Sequence, residues 1–144
     1  MPKGREICEY ALKVRSTNRA PGPAGSTILS MNLAGEASNG SVIATATMDA
    51  SLDRPIDFRT LTIQDDGTIA SGSGIGFCLA TGEGRWATKI FMFADNTPVA
   101  LQEGVFDQET STLTAKEFEW IAETTPFTQV FAGRIPAWLK SKAA

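Results

Sequence analysis

Histidine is absent from this 144-residue chain. That gap excludes Ser-His-Asp and Cys-His nucleophile pairs, most zinc sites and haem ligation through imidazole. Cysteine is scarce as well, with only Cys8 and Cys78, each inside an apolar strand pattern. Both read as buried reduced thiols, since cysteine is among the most buried residue types; the alternative, a disulfide between their strands, requires Cα atoms within about 7 Å. A metal site would have to be built from carboxylates, and no Asp-x-Asp-x-Asp loop of the calcium type is present. Neither a metal nor an organic cofactor is expected. No apolar run approaches the roughly 20 residues of a membrane helix. The opening Met1-Pro2-Lys3-Gly4-Arg5-Glu6 has no apolar stretch of the signal-peptide kind, so a cytoplasmic protein without a membrane partner is expected. Lys and Arg number 13 against 16 Asp and Glu, a net charge of −3, and they are scattered. Nucleic acid is therefore not an expected partner, since phosphate binding needs a basic stripe.

What is present is a globular balance, 42% hydrophobic and 20% charged, in a chain long enough to bury roughly two-thirds of its unfolded surface. Period-two alternation, the pattern of half-buried strands, recurs along most of it. Glu6 to Arg15 places Cys8, Tyr10, Leu12 and Val14 on one face. Ser16 to Ser26 is polar and contains Pro21-Gly22-Pro23, so it reads as a long loop, a candidate lid over one end. Strands are expected at 27–37, 41–49, 56–64, 68–80, 85–94, 99–107 and 112–122. Asn39-Gly40 and Asp65-Asp66-Gly67 supply tight turns between them. Within 56–64, Phe58, Leu61 and Ile63 break the alternation and suggest a bulge.

Short strands about ten residues apart, joined by consecutive hairpins, favour an all-β, single antiparallel barrel of about eight strands. The whole chain, 1–144, reads as one domain, with barrel strands in 5–122. The segment 123–144 carries Phe127, Val130, Phe131, Ile135 and Trp138 at roughly helical spacing, interrupted by Gly133 and Pro136. It reads as a short helical or irregular piece packed on the barrel. In strand count and size the chain is similar to calycin-like (lipocalin-like) and allene-oxide-cyclase-like barrels. That likeness concerns architecture and implies no residue or activity.

Ser71-Gly72-Ser73-Gly74-Ile75-Gly76 invites a phosphate-loop reading, but a strand follows it rather than a helix with Lys-Ser or Lys-Thr. Glycines at alternate positions leave one strand face bare, which permits bending or close approach by a neighbour. In the last three strands the simplest hairpin register sets Lys89 opposite Glu103 and Glu103 opposite Lys116. It also sets Phe91 opposite Leu101 and Leu101 opposite Phe118. The pairing leaves two choices of inward face, and a slip of one residue exchanges them. With the charged ladder outside, Trp86, Ile90, Met92, Gln102, Phe106, Glu117 and Glu119 point into the barrel. A carboxylate enclosed there would have a raised pKa and suit acid–base work. Glu117 and Glu119 lie roughly 7 Å apart on one strand face, within glycosidase range, but nothing else suggests carbohydrate. No Gly-x-Ser-x-Gly elbow is present.

Three functional readings follow. The first is a barrel that binds a small, largely apolar molecule, lined by Trp86, Met92, Gln102 and Phe106 with Glu117 and Glu119. The second is a cofactor-independent isomerase, cyclase or lyase in the same cavity. Glu117 or Glu119 would be its acid or base and Tyr10 its hydrogen-bond donor. The third is an interaction protein, a homo-oligomer whose barrel is filled by side chains.

Overall fold

The computed structural model describes residues 3–51, 55–94 and 97–120. Eight antiparallel strands pair in sequence order and close on themselves. They are β1 (Lys3–Pro21), β2 (Thr27–Ala37), β3 (Gly40–Asp49), β4 (Ile56–Gln64), β5 (Ile69–Gly82), β6 (Arg85–Ala94), β7 (Thr97–Asp107) and β8 (Thr112–Trp120). Closure pairs the two terminal strands and so removes the exposed edges of an all-β meander, except along residues 16–21 of β1, which pair with β2 alone. It is made by β1 against β8, from Glu6 opposite Phe118 to Lys13 opposite Thr112. Among the described residues no helix is long and apolar enough to cross a membrane. The C-terminal piece expected over 123–144, Trp138 included, lies outside the described residues.

Period-two alternation decides which side chains enter the barrel. Tyr10, Leu12, Leu33, Val42, Ala44, Ile56, Phe58, Ile90, Met92, Leu113 and Ala115 form one buried cluster. Leu12 and Phe58 of this cluster, together with the buried polar Gln102, are the largest side chains with essentially no exposure. Small residues on facing strands make room for them, as the taper of a small barrel requires. The bare face of β5 turns inward. A Cβ at Gly74 would lie 2.6 Å from Met92 Sδ and 2.7 Å from Ile90 Cγ2. The neighbour that covers the glycines is thus the aliphatic and thioether face of β6.

The register expected for the last three strands is the one observed: Lys89 faces Glu103, Glu103 faces Lys116, and Leu101 faces both Phe91 and Phe118. The ladder lies outside, with Lys89 Nζ 3.6 Å from Glu103. Lys116 Nζ reaches Glu6 of β1 at 3.4 Å. Farther along the same outer face Phe91 meets Trp120 edge-on at 5.8 Å. Leu101, although it points outward, is only 3% exposed. Elsewhere the outer face is unusually apolar, with Phe77 at 56% and Leu79 at 72% exposure.

Two expectations need correction. Ser16 to Ser26 is not a long loop: β1 runs to Pro21, paired residue by residue with β2 after a register shift between Val14 and Ser16. The connection is only a 3₁₀ turn at Pro23–Gly25, flanked by Gly22 and Ser26. Proline is tolerated there because Pro21 ends its strand. Nor does β4 bulge. Its pairing with both neighbours is continuous, and Leu61 and Ile63 face outward while Thr60 and Thr62 face in.

Candidate functional site

The packed middle divides the barrel interior into two recesses, one at each end. The single cavity expected from the sequence is therefore replaced by two chemically different spaces.

The first recess, of about 330 Å³, is lined by Cys8, Tyr10, Val42, Thr60, Thr62, Gln64, Met92, Ala100 and Glu117, with Asn39 from the β2–β3 turn. Its floor chemistry follows from strand pairing. Cys8 stands opposite Glu117 across the β1–β8 junction, and Gln102 stands opposite Glu117 on the other side. The Tyr10 hydroxyl donates to Glu117 Oε1 at 3.5 Å, and the Cys8 thiol donates to Oε2 at 3.6 Å. Both bonds are long, and a thiol is a weak donor.

Burial dominates the titration of this trio. Loss of solvent raises the Glu117 carboxyl above its ordinary value, and the two donated bonds only partly oppose it. The Cys8 thiol is pushed up to about 12, first by burial and then by the charge of Glu117. Tyr10 rises for the same two reasons in the same order, with the Gln102 amide opposing. Thiol and phenol thus hold their protons at neutral pH, and Cys8 offers no thiolate nucleophile. Among the described residues, none of the side chains lining this recess is Lys or Arg.

The second recess, of about 270 Å³, lies at the opposite end. It is lined by Leu29, Met31, Met48, Phe58, Trp86, Ile90, Phe106 and Leu113, with Cys78, Thr88 and Gln108 among their neighbours. The Trp86 indole N–H donates to Gln108 Oε1 at 3.5 Å. Loss of solvent also raises the Cys78 thiol. Cys8 and Cys78 are unbridged and line opposite recesses.

The sequence-derived site residues therefore separate. Tyr10, Met92 and Glu117 meet in the first recess, whereas Trp86 and Phe106 line the second. Glu117 is consequently not beside Trp86, as the sequence reading expected. Gln102 lines neither, being wholly buried in the partition, where its Oε1 accepts from Thr88 Oγ1 at 2.8 Å. Glu119, opposite Ala100, is exposed at the end of β8. Sequence reasoning missed Asn39, Thr60, Thr62 and Gln64. Continuing the alternation of β4 past Phe58 without a bulge would have placed the last three inward. Among the described residues no group of three or more Cys, Asp or Glu is arranged to hold a metal ion. Compared with protein-family models, curated proteins and solved structures, the chain matches none.

Proposed function

We propose that this barrel binds a small, largely apolar molecule in the recess lined by Trp86 and Phe106. The observation that carries the reading is the lining itself. Apart from Thr88 and Gln108, every described side chain lining it is hydrocarbon, aromatic, thioether or thiol. Binding pockets for small molecules are mostly apolar with a few fixed polar groups. Here the Trp86–Gln108 pair at the rim is such a group. Met31 and Met48 give the wall an adaptable surface, because unbranched thioethers repack around differing shapes. A dry cavity of ~150 Å³ holds benzene, so about 270 Å³ suits a ligand of roughly ten non-hydrogen atoms.

Titration of the ¹⁵N-labelled protein with naphthalene tests this. Amide and indole shifts should map to Met31, Met48, Trp86 and Phe106, and Trp86→Ala should weaken binding at least fivefold. No saturable shift, or shifts elsewhere, would reject the reading.

A second reading, a cofactor-independent isomerase, cyclase or lyase, draws on the raised carboxyl of Glu117 beside the Tyr10 hydroxyl. It places the chemistry in the other recess. Glu117→Gln should then abolish turnover and leave naphthalene affinity unchanged.

A further inference from the structure

The recess at the Glu117 end contains two hydrogen-bond acceptors that the protein leaves short of donors. Glu117 receives one thiol and one phenol, at 3.6 and 3.5 Å. Asn39 Oδ1, lining the same recess, is shut away from solvent and has no partner. Among the described residues, the other polar side chains of the lining are hydroxyls and amides, with no Lys or Arg. A half-buried carboxylate without a cation is costly, and an orphaned buried carbonyl adds to that cost. A ligand that brings positive charge together with several N–H donors would meet both needs.

We propose that this recess binds a small organic ammonium ion, a protonated primary amine on a hydrocarbon body. The Glu117 carboxylate is its counter-ion, and the Asn39 side-chain carbonyl becomes a second acceptor when that side chain turns into the recess toward the ligand. An ammonium carries three donors and no acceptor, so it competes with neither Tyr10 nor Cys8 for a proton. Val42, Met92 and Ala100 provide the apolar wall for the body of the ligand. A carboxylate or phosphate ligand would be repelled by Glu117. A wholly apolar one would leave both acceptors unpaired in a water-poor space.

Geometry limits the ligand further. Glu117 pairs with Cys8 of β1, and Ala37, two residues before Asn39, pairs with Tyr10 on the other side of β1. The two acceptors are thus two strand spacings apart, roughly 10 Å along the sheet and less across the lumen. The recess volume of about 330 Å³ admits roughly a dozen non-hydrogen atoms on the benzene scale. A primary amine on one ring or a short branched chain fits. This site is distinct from the apolar recess, and either assignment stands without the other.

The test compares benzylammonium, benzyl alcohol and benzoate by ¹⁵N chemical-shift titration of the whole chain at neutral pH. Benzylammonium should bind at least tenfold tighter than benzyl alcohol, with shifts at Tyr10, Asn39, Thr62 and Glu117. Benzoate should not bind there. Glu117→Gln should cost at least tenfold in benzylammonium affinity and Asn39→Ala about threefold. Should Glu117→Gln fail to fold, the ranking of the three probes on the unaltered protein decides. Equal binding of alcohol and ammonium, preference for benzoate, or shifts confined to the Trp86 end would each overturn the proposal.

Discussion

Gln102 permits a stability prediction whose size can be worked from its surroundings. It is wholly buried, with one oxygen accepting from Thr88 and a nitrogen that has no partner. The amide lies near enough to Tyr10 to oppose the rise in its pKa, yet no bond of acceptable geometry reaches the nitrogen. An unsatisfied buried donor costs about 1–3 kcal/mol. Gln102→Met keeps the unbranched shape, removes that penalty and loses the Thr88 bond, worth about 1 kcal/mol. Thr88 lines the apolar recess, so its hydroxyl can turn toward the recess opening when the amide oxygen is gone. The expected net effect is a gain of about 1 kcal/mol, or about 3 °C in midpoint for a domain of this size. Pairing it with Thr88→Val, whose hydroxyl by then faces the recess opening, should change stability by no more than about 0.5 kcal/mol further. Urea unfolding with an unchanged m value is the assay. A loss of 1 kcal/mol or more on Gln102→Met would show that the amide nitrogen is bonded, and would refute the reasoning.

Glu117 should make stability depend on pH in the direction opposite to a salt-bridged carboxylate. Burial keeps its proton on to higher pH in the native state than in the unfolded chain, so the native state binds more protons over that window. Stability relative to Glu117→Gln should therefore fall as pH rises from about 4.5, and a difference that stays flat from pH 4 to 7 would contradict this. On β5, Gly76→Ala would drive a Cβ against the Lys89 carbonyl and to 2.6 Å from Ile90 Cα, whereas Gly72→Ala meets nothing nearer than Thr60 Oγ1 at 3.1 Å. Thermal unfolding should show a cost of about 3 kcal/mol for the first and about 1 kcal/mol or less for the second; equal costs would remove β5–β6 backbone proximity as the cause.

The sequence made the fold legible wherever alternation and turn chemistry agreed. The hairpin after Asp107 set the register of β7 on β8, and with it the pairing of Glu103 with Lys116. Register alone does not say which face turns outward, and that came only from the closed barrel. Alternation failed where the interior stops being apolar. In β4 the inward residues past Phe58 are Thr60, Thr62 and Gln64, while Leu61 and Ile63 face out, so the hydrophobic pattern reads inverted. Sequence logic tends to break at sites whose polarity serves something other than packing, and this stretch walls the Glu117 recess. The far end of β1 was hidden for another reason. Past the register shift at Val14 its residues pair with β2 where the core has ended, so no apolar face marks them as strand. The division into two recesses was not legible. It depends on large side chains from strands distant in the chain, Leu12 of β1, Phe58 of β4 and Gln102 of β7, all being buried inside the closed barrel, and no local pattern encodes that.

The β1–β8 junction carries a consequence for how this molecule comes into being. Every other strand pair is a hairpin between neighbours in the chain, whereas this one joins residues about a hundred positions apart, as in the 109-residue separation of Cys8 and Glu117. Such long-range closure is the slow step of a folding chain. During synthesis β1 therefore waits, with one edge unpaired, until β8 has left the ribosome. The Cys8–Tyr10–Glu117 cluster straddles that junction, so it has no partially folded counterpart. Any ligand held by Glu117 acts as a clasp on the finished ring, favouring closure over reopening by mass action. Occupancy of that recess would be felt as resistance of the two terminal strands to parting.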